Sequence, residues 1–126
     1  MCLLKIIIQN FLNMADPSRV VRYEDMLRII HEPEKVIVDV RNPDEFKAGN
    51  IPTSINIPLG TVHDAFSMSE AQFKKTYLRV KPSETTEMIF YCKAGKRALN
   101  ALEQALKLGY SKSKIYSGSW DDWSSH

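Results

Sequence analysis

Cysteine is nearly absent from this chain, with two in 126 residues, Cys2 and Cys92. They stand near opposite ends, so no disulfide framework is expected, and such usage suits a reducing compartment. The three histidines, His31, His63 and His126, are isolated, and neither cysteine has a second Cys or a His at ligand spacing. A zinc site, or any other metal centre, is therefore not expected. An excess of one charge is missing too: the net charge is only +2, and no basic patch interleaved with aromatics occurs. Those two absences argue against nucleic acid as a partner. No apolar run is long enough for an integral membrane segment. With 44% hydrophobic and 25% charged residues, the composition is that of an ordinary globular domain with one core.

The first residues differ from the rest. Leu3, Leu4, Ile7, Ile8, Phe11 and Leu12 recur at helical spacing. The stretch is too interrupted for a membrane span and has no small-residue cleavage site. It also lacks the Arg and Ser of a mitochondrial presequence. Residues 1–17 are read as an N-terminal extension, either disordered or an extra helix, ahead of a domain over residues 18–126. Met14 onward reads as a natural start for that domain.

From Ser18 the pattern alternates strand and helix. Val20 to Tyr23 reads as an edge strand, and Glu24 to His31 carries Met26, Leu27, Ile29 and Ile30 on a helical face. Val36 to Val40 is a β-branched run suited to a strand buried on both faces. Asn42 then caps a short helix with Pro43 at its first position, and Gly49 ends it. Ile55 to Ile57 is a brief strand. Leu59 to Phe66 reads as loop, followed by a helix to about Leu78 with Ser67 or Ser69 as its cap. Met88 to Tyr91 is a buried strand, a helix follows from about Lys96 to Gly109, and Ile115 and Tyr116 make a last strand. The alternation predicts an α/β fold, doubly wound, with a mostly parallel central sheet flanked by helices. In such sheets ligands bind at the carboxyl ends of the strands.

Cys92 stands at one of those ends, between the Met88 strand and the mouth of the next helix. Backbone N–H groups converge there and the helix dipole is positive, which favours a thiolate over a thiol. Lys93, Lys96 and Arg97, all within five residues, act in the same direction. Most free cysteines are inert core residues. A glycine at the third following position and cations on both sides do not fit an inert core, so Cys92 is read as a nucleophile in an anion-holding pocket. Asp39 and Arg41, at the end of the second strand, are read as supporting the active-site loop or as a surface pair worth ~0–1 kcal/mol. Glu45 and Phe46 are assigned to capping and packing, Trp120 and Trp123 to packing at the C-terminal edge, and His63 to solvent.

Taken in order, Val36 to Arg41, Glu45-Phe46, Gly49 to Pro52, Cys92 to Arg97 and Gly118 to Trp123 resemble a single-domain rhodanese, or thiosulfate sulfurtransferase. The resemblance runs from about Val20 to Trp123 and is strongest to small fungal members. It implies a rhodanese-like fold in which Cys92 becomes a persulfide. The backbone N–H groups of Lys93, Ala94, Gly95, Lys96 and Arg97 would cradle the outer sulfur, as a nest cradles an anion. Lys96 and Arg97 would attract an anionic sulfur donor such as thiosulfate. The implied acceptor is cyanide or a thiol such as glutathione or thioredoxin, no cofactor is implied, and the location would be cytoplasmic or, alternatively, mitochondrial.

The chain departs from the family pattern at four places. Asn50 stands where members often carry His, Thr53-Ser54 where Gly-Ala is common, Ala98 where Ser or Thr follows the loop arginine, and Ser119 where a second glycine is expected. None removes the nucleophile or its cradle. Two other functions belong in view. A cysteine phosphatase or arsenate reductase on the same fold has five residues between Cys and Arg, whereas four intervene here. A non-catalytic binding module of this family usually lacks the cysteine, which this chain keeps.

Overall fold

The computed structural model describes residues 16–126, so the expectations for the N-terminal stripe lie outside the described residues. Five strands alternate with helices, as the pattern predicts. In chain order they are β1 (Val20–Val21), α1 (Tyr23–Ile29), β2 (Val36–Asp39), α2 (Pro43–Ala48), β3 (Ile55–Asn56), α3 (Val62–Ser67), α4 (Glu70–Tyr77), β4 (Met88–Tyr91), α5 (Lys96–Lys107), β5 (Lys114–Tyr116) and α6 (Ser119–Ser124). The sheet order is β1-β5-β4-β2-β3, and all four pairings are parallel. Among the described residues no helix is long and apolar enough to cross a membrane.

The period-2 alternation of strand side chains sorts the core onto the two faces of the sheet. Val38, Met88, Phe90, Cys92 and Ile115 join a cluster with residues of α3, α4 and α5. Ile37, Ile89, Tyr91 and Tyr116 join a second cluster with α1, Ile51 and the two tryptophans of α6. Every residue of β4 is buried, as a central parallel strand covered by helices on both faces must be. Cys92 continues the alternation set by Met88 and Phe90, so its side chain leaves the sheet toward α5.

The caps follow the sequence closely at α2. The Asn42 side chain and Glu45 form a reciprocal capping box, Pro43 opens the helix, and Gly49 ends it. At α4 the true cap is Ser69, whose hydroxyl accepts the Gln72 N–H. Ser67 instead donates to the His63 carbonyl within the preceding helix.

Two local expectations are corrected. Tyr23 opens α1 rather than ending a strand, because Asp25 reaches back to the Arg22 N–H and starts the helix there. The expected loop from Leu59 to Phe66 is a 3-10 turn over Leu59–Thr61 followed by helix α3. Val62, Ala65 and Phe66 do fall at helical spacing, but the polar residues between them hide so short a stripe. Its stability comes from burial, with Phe66 against Phe73, Phe90 and Tyr110. The residues after Gly118 form helix α6, and its start turns out to matter for the site.

Two departures from the family pattern carry backbone strain. Thr53 and Ser119 have φ of 69° and 59°, the left-handed region that a glycine enters freely. A residue with a side chain pays ~1–2 kcal/mol there. Asn50, in contrast, makes the local bond expected of it, donating from Nδ2 to the Phe46 carbonyl at 3.0 Å.

Candidate active site

Parallel register brings three segments to one edge of the sheet. Asp39 on β2 is level with Tyr91 on β4, and the Val40 N–H donates to the Tyr91 carbonyl at 3.0 Å. Cys92 therefore emerges beside Val40 and Arg41, at the carboxyl ends of both strands, where the Lys93-to-Gly95 turn leads into α5. The thiol is 1% exposed, sunk at the base of this turn. Its sulfur accepts the Gly95 N–H at 3.0 Å.

Gly95 is the N-cap of α5, with φ of 110°. A Cβ at this position would stand 2.7 Å from the Ser117 carbonyl oxygen, a backbone atom, so only glycine fits. Helix α5 has no side-chain cap. The first N–H groups of a helix have no acceptor within it. Among the described residues no hydrogen bond takes up the Lys96 or Arg97 N–H. The turn thus presents free backbone donors and a positive helix end around a sulfur already held by one N–H, an arrangement able to hold a small anion or a second sulfur.

The three cations of the segment have different surroundings. Arg97 reaches α2 and grips Glu45 with two nitrogens, at 2.7 and 3.1 Å. Lys93 pairs with Asp121 of α6 at 3.0 Å in an exposed contact. Lys96 is exposed, and among the described residues it has no ion-pair partner. So Arg97 and Lys93 tie the loop to its neighbours, and Lys96 keeps its charge free. The bond from Arg97 brings Glu45 to the site, whereas its place in the sequence indicates only capping and packing. The spacing of Glu45 from Asn42 explains the cap and hides the second bond, because Arg97 arrives from 52 residues away.

The Arg97 guanidinium, helped by the Asn42 N–H and opposed by burial, holds the Glu45 carboxyl down from 4.5 to about 2. Because the folded value lies below the unfolded one, the pair's contribution is complete above about pH 4.5 and is lost as pH falls toward 2. Both side chains are a quarter to a third exposed, so solvent screening keeps the contribution near ~1 kcal/mol. Glu45→Gln is expected to lower stability by ~1 kcal/mol at neutral pH and to flatten the fall in stability between about pH 4.5 and pH 3. Denaturant titrations of both proteins across that range test this. An unchanged acid slope in the variant would refute it.

Asp39 and Arg41 do form an ion pair, but not a surface one. Both are buried, at 0% and 3% exposure, and the Arg41 guanidinium meets both carboxylate oxygens at 2.8 to 3.1 Å. It also donates to the Gly49 carbonyl at 2.6 Å and lies 5.0 Å from the Trp120 ring centroid. The surface magnitude of ~0–1 kcal/mol does not apply, since losing one partner would strand a buried charge at a cost of ~3–5 kcal/mol. The pair makes no hydrogen bond to the loop. Its guanidinium packs against the ring of Trp120, whose backbone N–H donates to the Cys92 carbonyl at 2.9 Å.

Helix α6 closes the site from the other side. The Asp121 N–H donates to the Lys93 carbonyl at 2.9 Å, and the Cys92 N–H donates to the Ser119 hydroxyl at 3.2 Å. Tyr91, next to the cysteine, holds Ile51 and Ser54 through its hydroxyl, and burial pushes that hydroxyl above its ordinary range, so it stays protonated. His63 is exposed, beside Asp64.

Comparison with known proteins adds to this geometry. The family model described as Rhodanese-like domain matches residues 23–126. A Saccharomyces cerevisiae protein named thiosulfate:glutathione sulfurtransferase is 44% identical over 106 residues, covering 82% of this chain and 76% of that one. The mitochondrial thiosulfate sulfurtransferase RDL2 of the same yeast is 33% identical over 120 residues, covering 94% and 79%. The structure of the human single-domain sulfurtransferase TSTD1 superposes with a TM-score of 0.81 at 31% identity, covering 85% of this chain and 96% of the human one.

Proposed function

This chain belongs to the rhodanese family and is a sulfurtransferase, and from that premise we propose that Cys92 carries the sulfur as a persulfide. The observation that supports this most directly is the Gly95 N–H on the Cys92 sulfur, at the open N-terminus of α5.

In the first half-reaction the Cys92 thiolate attacks the outer, sulfane sulfur of thiosulfate. A new S–S bond forms, the S–S bond of thiosulfate breaks, and sulfite leaves with its electron pair. The backbone donors of residues 93–97 hold the terminal sulfur of the resulting persulfide anion, with no reorganisation needed as the charge moves outward. In the second half-reaction a thiolate acceptor attacks that terminal sulfur, takes it as its own persulfide, and returns Cys92 as thiolate. No oxidant or reductant is consumed.

The turn length favours sulfur over a tetrahedral oxyanion. Four residues separate Cys92 from Arg97, and the resulting turn is tight enough for its third N–H to touch Sγ itself. The yeast relative named for glutathione supports a glutathione-type thiol as acceptor, and the one named mitochondrial supports that compartment as the alternative location. The direct test is intact mass after brief thiosulfate exposure. A gain of one sulfur atom, reversed by a thiol, is expected, and its absence would refute the persulfide.

The separate surroundings of the cations divide their roles. Lys96→Ala is expected to raise KM for dianionic thiosulfate about fivefold at low ionic strength, with the difference shrinking as salt is added, because a free surface charge steers and is screened. Arg97→Ala, which releases Glu45 and the first turn of α5, is expected to slow transfer from thiosulfate and from a monoanionic organic persulfide alike. Steady-state kinetics with both donors at two ionic strengths separate the cases. A salt-independent loss with Lys96→Ala would contradict the steering role.

A further inference from the structure

We propose that Ser119 is a positioning residue for sulfur transfer, its hydroxyl fixing the peptide from which the Cys92 side chain hangs. The inference rests on the reading of Cys92 as the sulfur carrier. Strand β5 stops at Tyr116, one residue short of offering Cys92 a ladder partner on that side. The Ser119 hydroxyl takes that place, accepting the Cys92 N–H at 3.2 Å and donating to the Tyr116 carbonyl at 2.9 Å. The residue is 0% exposed, so without the hydroxyl the Cys92 N–H would be buried and unpaired.

The next two residues complete the grip. Trp120 N–H holds the Cys92 carbonyl and Asp121 N–H holds the Lys93 carbonyl, each at 2.9 Å. Ser119 and Trp120 therefore fix both peptide groups flanking the Cys92 Cα, and with them the point from which Sγ meets the Gly95 N–H, while Asp121 holds the peptide that follows. Ser119 does this from a φ of 59°, a conformation that a glycine would adopt without strain. A backbone turn alone would thus be better made by glycine. The serine supplies the hydroxyl that a glycine lacks.

This separates two effects that Ser119→Gly and Ser119→Ala tell apart. Both variants lose the hydroxyl, but only the glycine relieves the strain. Both are expected to lower kcat for thiosulfate-to-thiol transfer about tenfold with KM for thiosulfate changed less than twofold, since the reacting sulfur is misplaced while donor steering is intact. Melting temperature is expected to be higher for the glycine variant than for the alanine variant. Wild-type kcat in Ser119→Gly would overturn the inference, leaving Ser119 only a turn residue. A KM change with kcat preserved would overturn it as well. Should the alanine variant fail to fold, the glycine variant decides alone. Cys92→Ser is assayed alongside: if it keeps transferring sulfur, the carrier reading itself falls. If it is inactive while both Ser119 variants retain wild-type kcat, only the positioning role falls.

Discussion

Cys92→Ser is expected to fold as the parent chain does and to transfer no sulfur, a loss of at least ~10³-fold that leaves only uncatalysed background. Serine is smaller by the difference between oxygen and sulfur, and its hydroxyl can still accept the Gly95 N–H that now meets Sγ at 3.0 Å. The turn therefore keeps its internal partner, and the change in stability should stay within ~1 kcal/mol. Chemistry is lost because an alkoxide is not available near neutral pH and an oxygen–sulfur adduct does not store a transferable sulfane sulfur. Thiosulfate-to-cyanide and thiosulfate-to-glutathione assays, with a denaturation curve on the same preparation, check both halves. Retained transfer in a folded variant would remove Cys92 from the mechanism.

Gly95→Ala should be nearly as damaging, and for a reason that involves no reactive atom. The alanine must adopt φ near 110° or push its Cβ against the Ser117 carbonyl, which stands 2.7 Å away. Ser117 lies between β5 and α6, and the adjoining residues are fixed by the bonds to Cys92 and Lys93, so the Gly95 turn is what must move. That movement takes the Gly95 N–H off the sulfur and opens the cradle. A displacement of ~1 Å at a reacting centre costs about 10²-fold in rate, and the strain should cost ~2–4 kcal/mol of stability. Single-turnover persulfide formation followed by mass, together with urea denaturation, measures the two. Persulfide formation at the wild-type rate would show that the cradle is not needed.

Strand-and-helix alternation and the position of Cys92 were legible in the sequence because each is written in local terms. Val36 to Val38 and Met88 to Tyr91 are unbroken apolar or aromatic runs, as a strand covered on both faces requires, and the Asn42-Pro43 start and Gly49 stop mark α2 without reference to the rest of the chain. Helix α3 is not legible in the sequence because its six residues carry too little periodicity to outweigh three polar ones among them, and its three apolar side chains become informative only against Phe73, Phe90 and Tyr110. Helix α6, also six residues long, is equally too short to show a periodicity of its own.

The electrostatics divide along the same line. Three cations near Cys92 are visible in the chain, but the carboxylates that take up two of them arrive from α2 and α6, 52 and 28 residues distant. Only folding decides that Arg97 and Lys93 act as ties while Lys96 remains a free charge. The Asp39–Arg41 pair likewise has its sequence spacing in plain view, yet its burial under Trp120 depends on how α6 returns across the edge of the sheet. The sequence by itself determined an α/β alternation with a cysteine at a strand end and backbone donors after it, because propensity, capping and side-chain period are local. The tertiary structure alone decided which charges stay free, which glycine cannot be replaced and which hydroxyl holds the Cys92 peptide, because each depends on a contact across the sheet edge that no spacing along the chain records.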